Sequence, residues 1–163
     1  MIIFLKNKHS LKVDDFYFYC SIGKNGVTND KYEGDNKTPS GIFKIGSLYY
    51  RKDRIQKPKT SLRCIPIKKT MGWSNDIKNN KYYNKLIKTN KKISHEKLFR
   101  KDHKYDLLIP IKYNFKNRII GKGSCIFIHL TQNYKPTAGC IALKKKDFLI
   151  MLKLINKKCL INI

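Results

Sequence analysis

Short runs of aromatic and β-branched residues, separated by turn-forming residues, recur along most of this chain. Val, Ile, Tyr and Phe fit the pleated, half-buried surface of a sheet, whereas Gly, Pro, Asn and Asp interrupt such runs. The pattern predicts strands over Ile2–Leu5, Phe16–Ile22, Gly41–Tyr50, Leu62–Ile67, Tyr105–Tyr113, Ser124–Leu130 and Leu160–Ile163. A long turn-rich loop is expected over Lys31–Gly41.

One stretch near the carboxyl end has the periodicity of a helix instead. Within residues 144–155, the apolar residues Phe148, Leu149, Leu152 and Ile155 fall on one face at helical spacing. The pattern therefore predicts a helix there, followed by a last strand. The overall expectation is a mainly β fold, a β-rich α+β domain with one or two helices.

All 163 residues, 1–163, are predicted to form a single domain. Their number is about that of one domain, and no internal repeat or linker-like stretch divides them. The Asn- and Lys-rich segment Trp73–Lys92 is predicted to be an extended surface excursion. No apolar run reaches the roughly 18 residues of a membrane-spanning helix. The apolar start Met1–Leu5 is also too short for the core of a signal peptide, so no export signal is predicted.

The chain is strongly basic, with 36 Lys and Arg residues against 11 acidic ones and a formal net charge of +25. Such a charge attracts polyanions, which include nucleic acid, anionic lipid and acidic cell-wall polymers. The lysines are spread along the whole chain, which also fits drift toward A/T-rich codons. Trp73, Tyr82 and Tyr83 lie among Lys and Asn residues and could stack on single-stranded nucleic acid. No known nucleic-acid-binding motif accompanies them, so specific nucleic-acid binding is not expected and stays a remote alternative.

Neither a metal nor another cofactor is expected. The chain has five cysteines but no CxxC spacing, so a structural zinc site or a thioredoxin-like motif is unsupported. The pair His95-Glu96 does not continue as HExxH, because Phe99 stands where the second His would be. An odd number of cysteines leaves at least one thiol free.

The most informative segment joins a His to a Cys. His129 ends an apolar strand, a short polar loop follows, and Thr137-Ala138-Gly139-Cys140 precedes the next apolar stretch. A Cys nucleophile needs thiolate character and a neighbouring base, and the N–H groups of Gly139 and Cys140 could form an oxyanion hole. A buried, inert Cys and a structural His are the commoner roles of such residues.

This segment resembles the catalytic segment of the L,D-transpeptidase (YkuD-like) family, in which a strand His is followed by a Ser/Thr-x-Gly-Cys motif. Ile128-His129 matches the first part, and Thr137-Ala138-Gly139-Cys140 matches the second. Further blocks are similar, in order, to a small bacterial subgroup of that family. They are Lys31–Phe43, Gly72–Asp76, Ser94–Glu96, Tyr105–Leu107 and Gly121–Ser124.

The resemblance implies a YkuD-like β-sandwich or barrel with Cys140 as nucleophile and His129 as its catalytic partner. The oxyanion and substrate-binding positions that it implies are Gly139, Thr137, Ala138 and His95. The implied reaction begins when the Cys140 thiolate attacks a carbonyl of a peptidoglycan stem peptide. This carbonyl joins the third residue of the stem to its terminal D-Ala. A thioester then forms, and an amine of a second stem attacks it to give a 3–3 crosslink.

Several finer expectations follow from the same resemblance. If water replaces the amine, the enzyme is an L,D-carboxypeptidase or endopeptidase, and this alternative stays open. The expected partner is the stem peptide, and the expected oligomeric state is a monomer. The expected location is the periplasm or cell wall. Because no export signal is visible, a cytoplasmic location stays open. Ala138, Leu130 and Ala142 replace the His, Gly and Arg or Asn of many members, which leaves the acceptor and the detailed substrate contacts open.

Overall fold

The computed structural model describes residues 1–89 and 92–163, and these form fifteen strands and one helix. The first eight strands are β1 (Ile2–Lys6), β2 (Ser10–Val13), β3 (Phe16–Ser21), β4 (Val27–Thr28), β5 (Thr38–Pro39), β6 (Ile42–Lys44), β7 (Leu48–Tyr50) and β8 (Cys64–Pro66). The others are β9 (Met71–Ser74), β10 (Leu86–Lys88), β11 (His95–Lys97), β12 (Leu107–Pro110), β13 (Phe127–Leu130), β14 (Ile141–Leu143) and β15 (Leu160–Asn162). The helix α1 spans Lys145–Leu154. The expected mainly β fold is confirmed.

Ten of these strands form one curled sheet in the order β6-β15-β1-β2-β3-β14-β13-β12-β7-β8. Within it, β13 and β14 are parallel neighbours, and β3 and β12 flank them in antiparallel pairing. A three-stranded sheet, β10-β9-β11, and the short pair β4-β5 complete the strand pairing of the described residues. The middle of the large sheet therefore carries the segment that holds the Cys and the His.

Side chains of β13 alternate between two apolar clusters on opposite faces of the sheet. Ile128 and Leu130 join the larger cluster, which also receives the buried face of α1 through Phe148, Met151 and Leu152. Phe127 points to the smaller cluster, which includes Trp73, Leu108, Cys125 and Cys140. The candidate site lies on the face of this smaller cluster.

The predicted helix is confirmed to within one residue at each end. It begins after Lys144 and ends before Ile155, and both of these flanking residues have extended backbone. Asp147 in the first turn and Lys153 in the last turn complement the helix dipole. No helix among the described residues is long and apolar enough to cross a membrane.

The segment Trp73–Lys92 is not the surface excursion that its composition predicts. Its described residues contribute to β9 and all of β10, and Trp73 and Tyr83 are buried. Asn84 explains how this polar segment packs inward, because its side-chain oxygen accepts hydrogen bonds from Trp73 Nε1 at 3.0 Å and from the Cys125 N–H at 3.2 Å. Trp73 and Tyr83 are therefore not available as a stacking platform.

Candidate active site

The two candidate catalytic side chains are brought together by neighbouring parallel strands. In the β13–β14 register, Ile128 lies opposite Ile141 and His129 lies opposite Ala142. Because side chains alternate along a strand, Cys140, Ala142 and His129 face the same side of the sheet. All three line one cavity of about 240 Å³.

The cavity is lined mainly by polar and charged groups. Arg100, Lys104 and Lys135 contribute positive charge, whereas Glu96 is the one acidic side chain among the described residues of the lining. Arg100 is held in place because its guanidinium donates to both carboxylate oxygens of Asp102. The cavity therefore favours anionic ligands. No group of three or more His, Cys, Asp or Glu side chains among the described residues is placed to hold a metal ion.

The Cys140 thiol is buried and makes two backbone contacts. Its Sγ donates to the Cys125 carbonyl oxygen at 3.2 Å and accepts from the Phe127 N–H at 3.3 Å. Burial raises the pKa of this thiol to about 12, and the nearby Glu96 adds to the rise. Burial therefore favours the neutral thiol form of Cys140 in the free protein.

The orientation of His129 is set by the carbonyl oxygen of Leu130, which lies 2.9 Å from Nδ1. Because a carbonyl oxygen can only accept, Nδ1 carries the proton and Nε2 is left as the basic nitrogen. The ring of Tyr105 packs edge-on against the imidazole, with ring centroids 5.3 Å apart. Burial lowers the pKa of His129 to about 4, so the imidazole is neutral near pH 7 and able to accept a proton.

The turn before Cys140 is closed by the Thr137 hydroxyl. Thr137 Oγ1 accepts from the Gly139 N–H at 3.1 Å and donates to the Cys140 carbonyl oxygen at 2.6 Å. The Thr137 backbone is in turn anchored to Ile22 and Lys24 by hydrogen bonds of 2.9 Å. Thr137 thus shapes the turn, and it occupies one of the two N–H groups considered for an oxyanion hole.

In a comparison with protein-family models, residues 2–163 match the YkuD L,D-transpeptidase catalytic domain. The chain belongs to the YkuD family. Members of this family act on peptidoglycan as L,D-transpeptidases. Neither the curated proteins nor the solved structures include a match to this chain.

Not every substrate-binding residue that the resemblance implies reaches the cavity of this YkuD domain. Thr137 and Ala138 line it beside Cys140, whereas His95 does not. His95 lies over Gly72, and its Nδ1 is 2.6 Å from the Ile93 carbonyl oxygen. Glu96, the next residue along β11, lines the cavity instead, because neighbouring side chains on a strand point to opposite faces.

Glu96 and Tyr105 are site residues of the YkuD domain that the sequence did not single out for a role. Tyr105 Oη donates a hydrogen bond to Glu96 Oε2, and burial raises the pKa of Glu96. The Tyr105 ring also packs between His129 and the Arg100 guanidinium, whose central carbon lies 5.1 Å from the ring centroid. Both residues belong to sequence blocks that resemble the family, and this resemblance was the signal by which the sequence could have identified them.

The acidic side chains of the loop Lys31–Gly41 form hydrogen bonds and an ion pair within the domain. Glu33 accepts hydrogen bonds from Tyr83 Oη at 2.5 Å and from Ser124 Oγ at 2.7 Å. Asp35 pairs with the buried Lys31 ammonium at 2.5 Å. The two carboxylates therefore have structural partners, and the positive charge of Lys31 lowers the pKa of Cys140 slightly against the larger effect of burial.

Replacing Gly139 by Ala should destabilise the YkuD domain by about 3 kcal/mol. Gly139 has φ +137°, a conformation that L side chains rarely adopt, and an added Cβ would lie 2.7 Å from the Lys37 carbonyl oxygen. The measurement is urea unfolding of both proteins. Gly26→Ala is the matched control, because Gly26 has φ +80° but no atom within 4 Å of its Cβ position. The control should cost only about 1 kcal/mol, and equal losses would argue against the clash with Lys37.

Proposed function

We propose that this protein is a cysteine L,D-transpeptidase that acts on peptidoglycan stem peptides through Cys140 and His129. The observation that carries the proposal is the pairing of these side chains on adjacent parallel strands, facing one cavity, with the basic nitrogen of His129 fixed by Leu130. Thiol and imidazole together are the groups that nucleophilic acyl transfer requires.

The first half of the reaction forms a thioester. His129 Nε2 takes the proton of the Cys140 thiol as the sulfur attacks the carbonyl carbon between the third stem residue and D-Ala. The Cys140 N–H is the proposed oxyanion donor, since the Gly139 N–H is engaged by Thr137. When the C–N bond breaks, the imidazolium returns the proton to the leaving amine, and D-Ala departs with a free amino group.

The second half transfers the acyl group to an amine of another stem peptide. His129 accepts a proton from this amine as the amine nitrogen attacks the thioester. When the C–S bond breaks, the imidazolium returns that proton to the sulfur and the thiol is regenerated. A 3–3 crosslink results. If water attacks instead, the product is a shortened stem with a free carboxylate. We place this reaction outside the cytoplasmic membrane, where the peptidoglycan substrate of the family lies.

The charge of the cavity supports an anionic stem peptide as substrate. Among the described residues of the lining, Arg100, Lys104 and Lys135 outnumber the one carboxyl group, that of Glu96. Stem peptides carry free carboxylates at their acidic residues and at the terminal D-Ala. Opposite charge raises the local substrate concentration and speeds its association with the cavity.

The experiment is product analysis with the wild-type protein. A disaccharide-tetrapeptide is incubated alone and with an excess of a second stem peptide that carries a free amine. Mass spectrometry is expected to detect a thioester on the intact protein, release of D-Ala, and a crosslinked dimer when the second stem is present. A tripeptide alone would indicate the hydrolase alternative, and no acyl-enzyme with no D-Ala release would refute the proposal.

A further inference from the structure

A second groove lies beside the catalytic cavity, and Pro136 lines both. This groove has a volume of about 340 Å³ and three aromatic side chains in its wall, those of His9, Tyr19 and Tyr134. Lys8 and Lys24 add positive charge. A ligand that occupies the groove could therefore continue past Pro136 toward Cys140.

The aromatic side chains form a connected, accessible platform. Tyr19 is 55% exposed and meets Tyr134 edge to face, with ring centroids 4.7 Å apart. His9 also lies near Tyr19, with ring centroids 6.3 Å apart and an interplanar angle of 15°. Large aromatic side chains are usually buried or engaged at interfaces, so an exposed aromatic cluster at a groove indicates a binding surface.

The backbone that holds Tyr134 is unusual for a tyrosine. Asn133 and Tyr134 both have positive φ, at 54° and 53°, and the Lys135 N–H closes the turn by donating to the Gln132 carbonyl oxygen at 3.2 Å. Two successive residues in this conformation define a turn in which Gly, Asn and Asp predominate. Asn133 fits that preference, whereas Tyr134 does not, and its ring instead forms part of the groove wall.

A buried polar group faces the same groove without a partner. Ser21 is only 8% exposed, and its Oγ has no hydrogen-bond partner among the described residues. Ser21 lines the groove together with Tyr19 and Gly23. Buried hydroxyl groups are normally paired, so this one points to a polar ligand that supplies the missing hydrogen bond.

We propose that this groove binds the sugar chain of peptidoglycan and thereby presents the attached stem peptide to Cys140; this inference rests on the proposed function. The apolar face of a pyranose ring stacks on Tyr19 and Tyr134, and a hydroxyl or acetamido group of the sugar pairs with Ser21. The bond that Cys140 attacks lies three residues from the sugar, a span of about 10 Å for an extended peptide. A sugar site that borders the cavity at Pro136 suits a connection of that length.

The test uses an uncharged sugar, so that the lysines cannot account for binding. Calorimetric titration with the tetramer of N-acetylglucosamine should detect binding to wild type and about tenfold weaker binding to Tyr19→Ala, because the stacking surface is lost. Tyr19→Phe keeps the ring and should bind like wild type. Tyr17→Ala is the matched control, since Tyr17 lies on the same strand, is 63% exposed and does not line the groove.

A kinetic measurement separates this inference from the proposed function. Tyr19→Ala should lower kcat/KM about tenfold for a disaccharide-tetrapeptide while leaving kcat/KM for the free tetrapeptide unchanged. If wild type turns over both substrates but binds no sugar, or if Tyr17→Ala weakens binding as much as Tyr19→Ala, the groove inference is wrong. If wild type binds the sugar as expected but neither it nor any variant releases D-Ala, the proposed function is wrong and the sugar-binding site is still supported.

Discussion

Replacing Cys140 by Ala should abolish covalent capture of an acyl donor and lower D-Ala release by about 10⁴-fold or more. The sulfur is the atom that forms the thioester, and no other thiol lines the cavity in the part of the chain that the structure describes. The measurement is intact-protein mass spectrometry after incubation with a carbapenem, a reactive acyl donor expected to label the nucleophile of this family. Wild type should gain the mass of one carbapenem, and Cys140→Ala should gain none.

Cys125→Ala is the matched control for that substitution. Both thiols are buried in the smaller apolar cluster, and burial raises the pKa of each. Cys125 Sγ contacts the Trp73 carbonyl oxygen at 3.6 Å but does not line the cavity. Cys125→Ala should therefore keep the adduct. Circular dichroism would verify that both variants fold, and a persistent adduct on folded Cys140→Ala would contradict the role of Cys140 as nucleophile.

Strands with continuous aromatic or β-branched runs were predictable from the sequence. Phe16–Ile22 becomes β3, which is one residue shorter, and burial alternates along its middle residues Tyr17–Cys20 as the pleat requires. Gly41–Tyr50 was predicted as one strand but forms β6 and β7. The break occurs where Ile45 bridges Ile111 and the Gly46 N–H donates to the Pro110 carbonyl oxygen at 2.7 Å. That contact joins residues distant in sequence, so no local pattern contains it.

The inward packing of Trp73–Lys92 could not be recognised from composition. Its apolar residues are isolated among Asn and Lys, and β10 is only three residues long. Trp73 packs into the smaller apolar cluster and donates a hydrogen bond to Asn84, and the Tyr83 hydroxyl donates one to the distant Glu33. Single polar partners of this kind stabilise a buried segment without leaving a hydrophobic pattern in the sequence.

The sequence predicted that His129 and Cys140 share a site, but it predicted neither the contribution of Glu96 and Tyr105 to the cavity nor the effect of burial on the two pKa values. The family resemblance assigned both residues to one site, and the parallel pairing of β13 and β14 explains how they come to face the same cavity. The group that orients His129 is a backbone carbonyl. Because every residue has one, the sequence could not identify this group. Burial, which raises the pKa of Cys140 and lowers that of His129, depends on the whole fold.

His129→Gln should lower the rate of Cys140 acylation by about 10³-fold, because a neutral amide cannot take the thiol proton. In wild type, kcat/KM for D-Ala release should stay constant from neutral pH down to about pH 5. It should then fall as protonation of His129, with its pKa of about 4, removes the base. A wild-type profile that already falls below pH 6.5 would show that His129 is not the buried base described by this geometry.

The same substitution should change how stability depends on pH. The unfolded chain binds a proton at His129 below its ordinary pKa of 6.5, whereas the folded protein binds one only near pH 4. Folding therefore loses stability as the pH falls from 6.5 to 4, by about 3 kcal/mol from this residue. Urea unfolding at pH 7 and pH 4 should show that His129→Gln loses about 3 kcal/mol less than wild type, because glutamine does not titrate. Equal losses in the two proteins would mean that folding does not lower the pKa of His129. The description of Cys140 and His129 as a neutral thiol and a neutral imidazole would then be wrong.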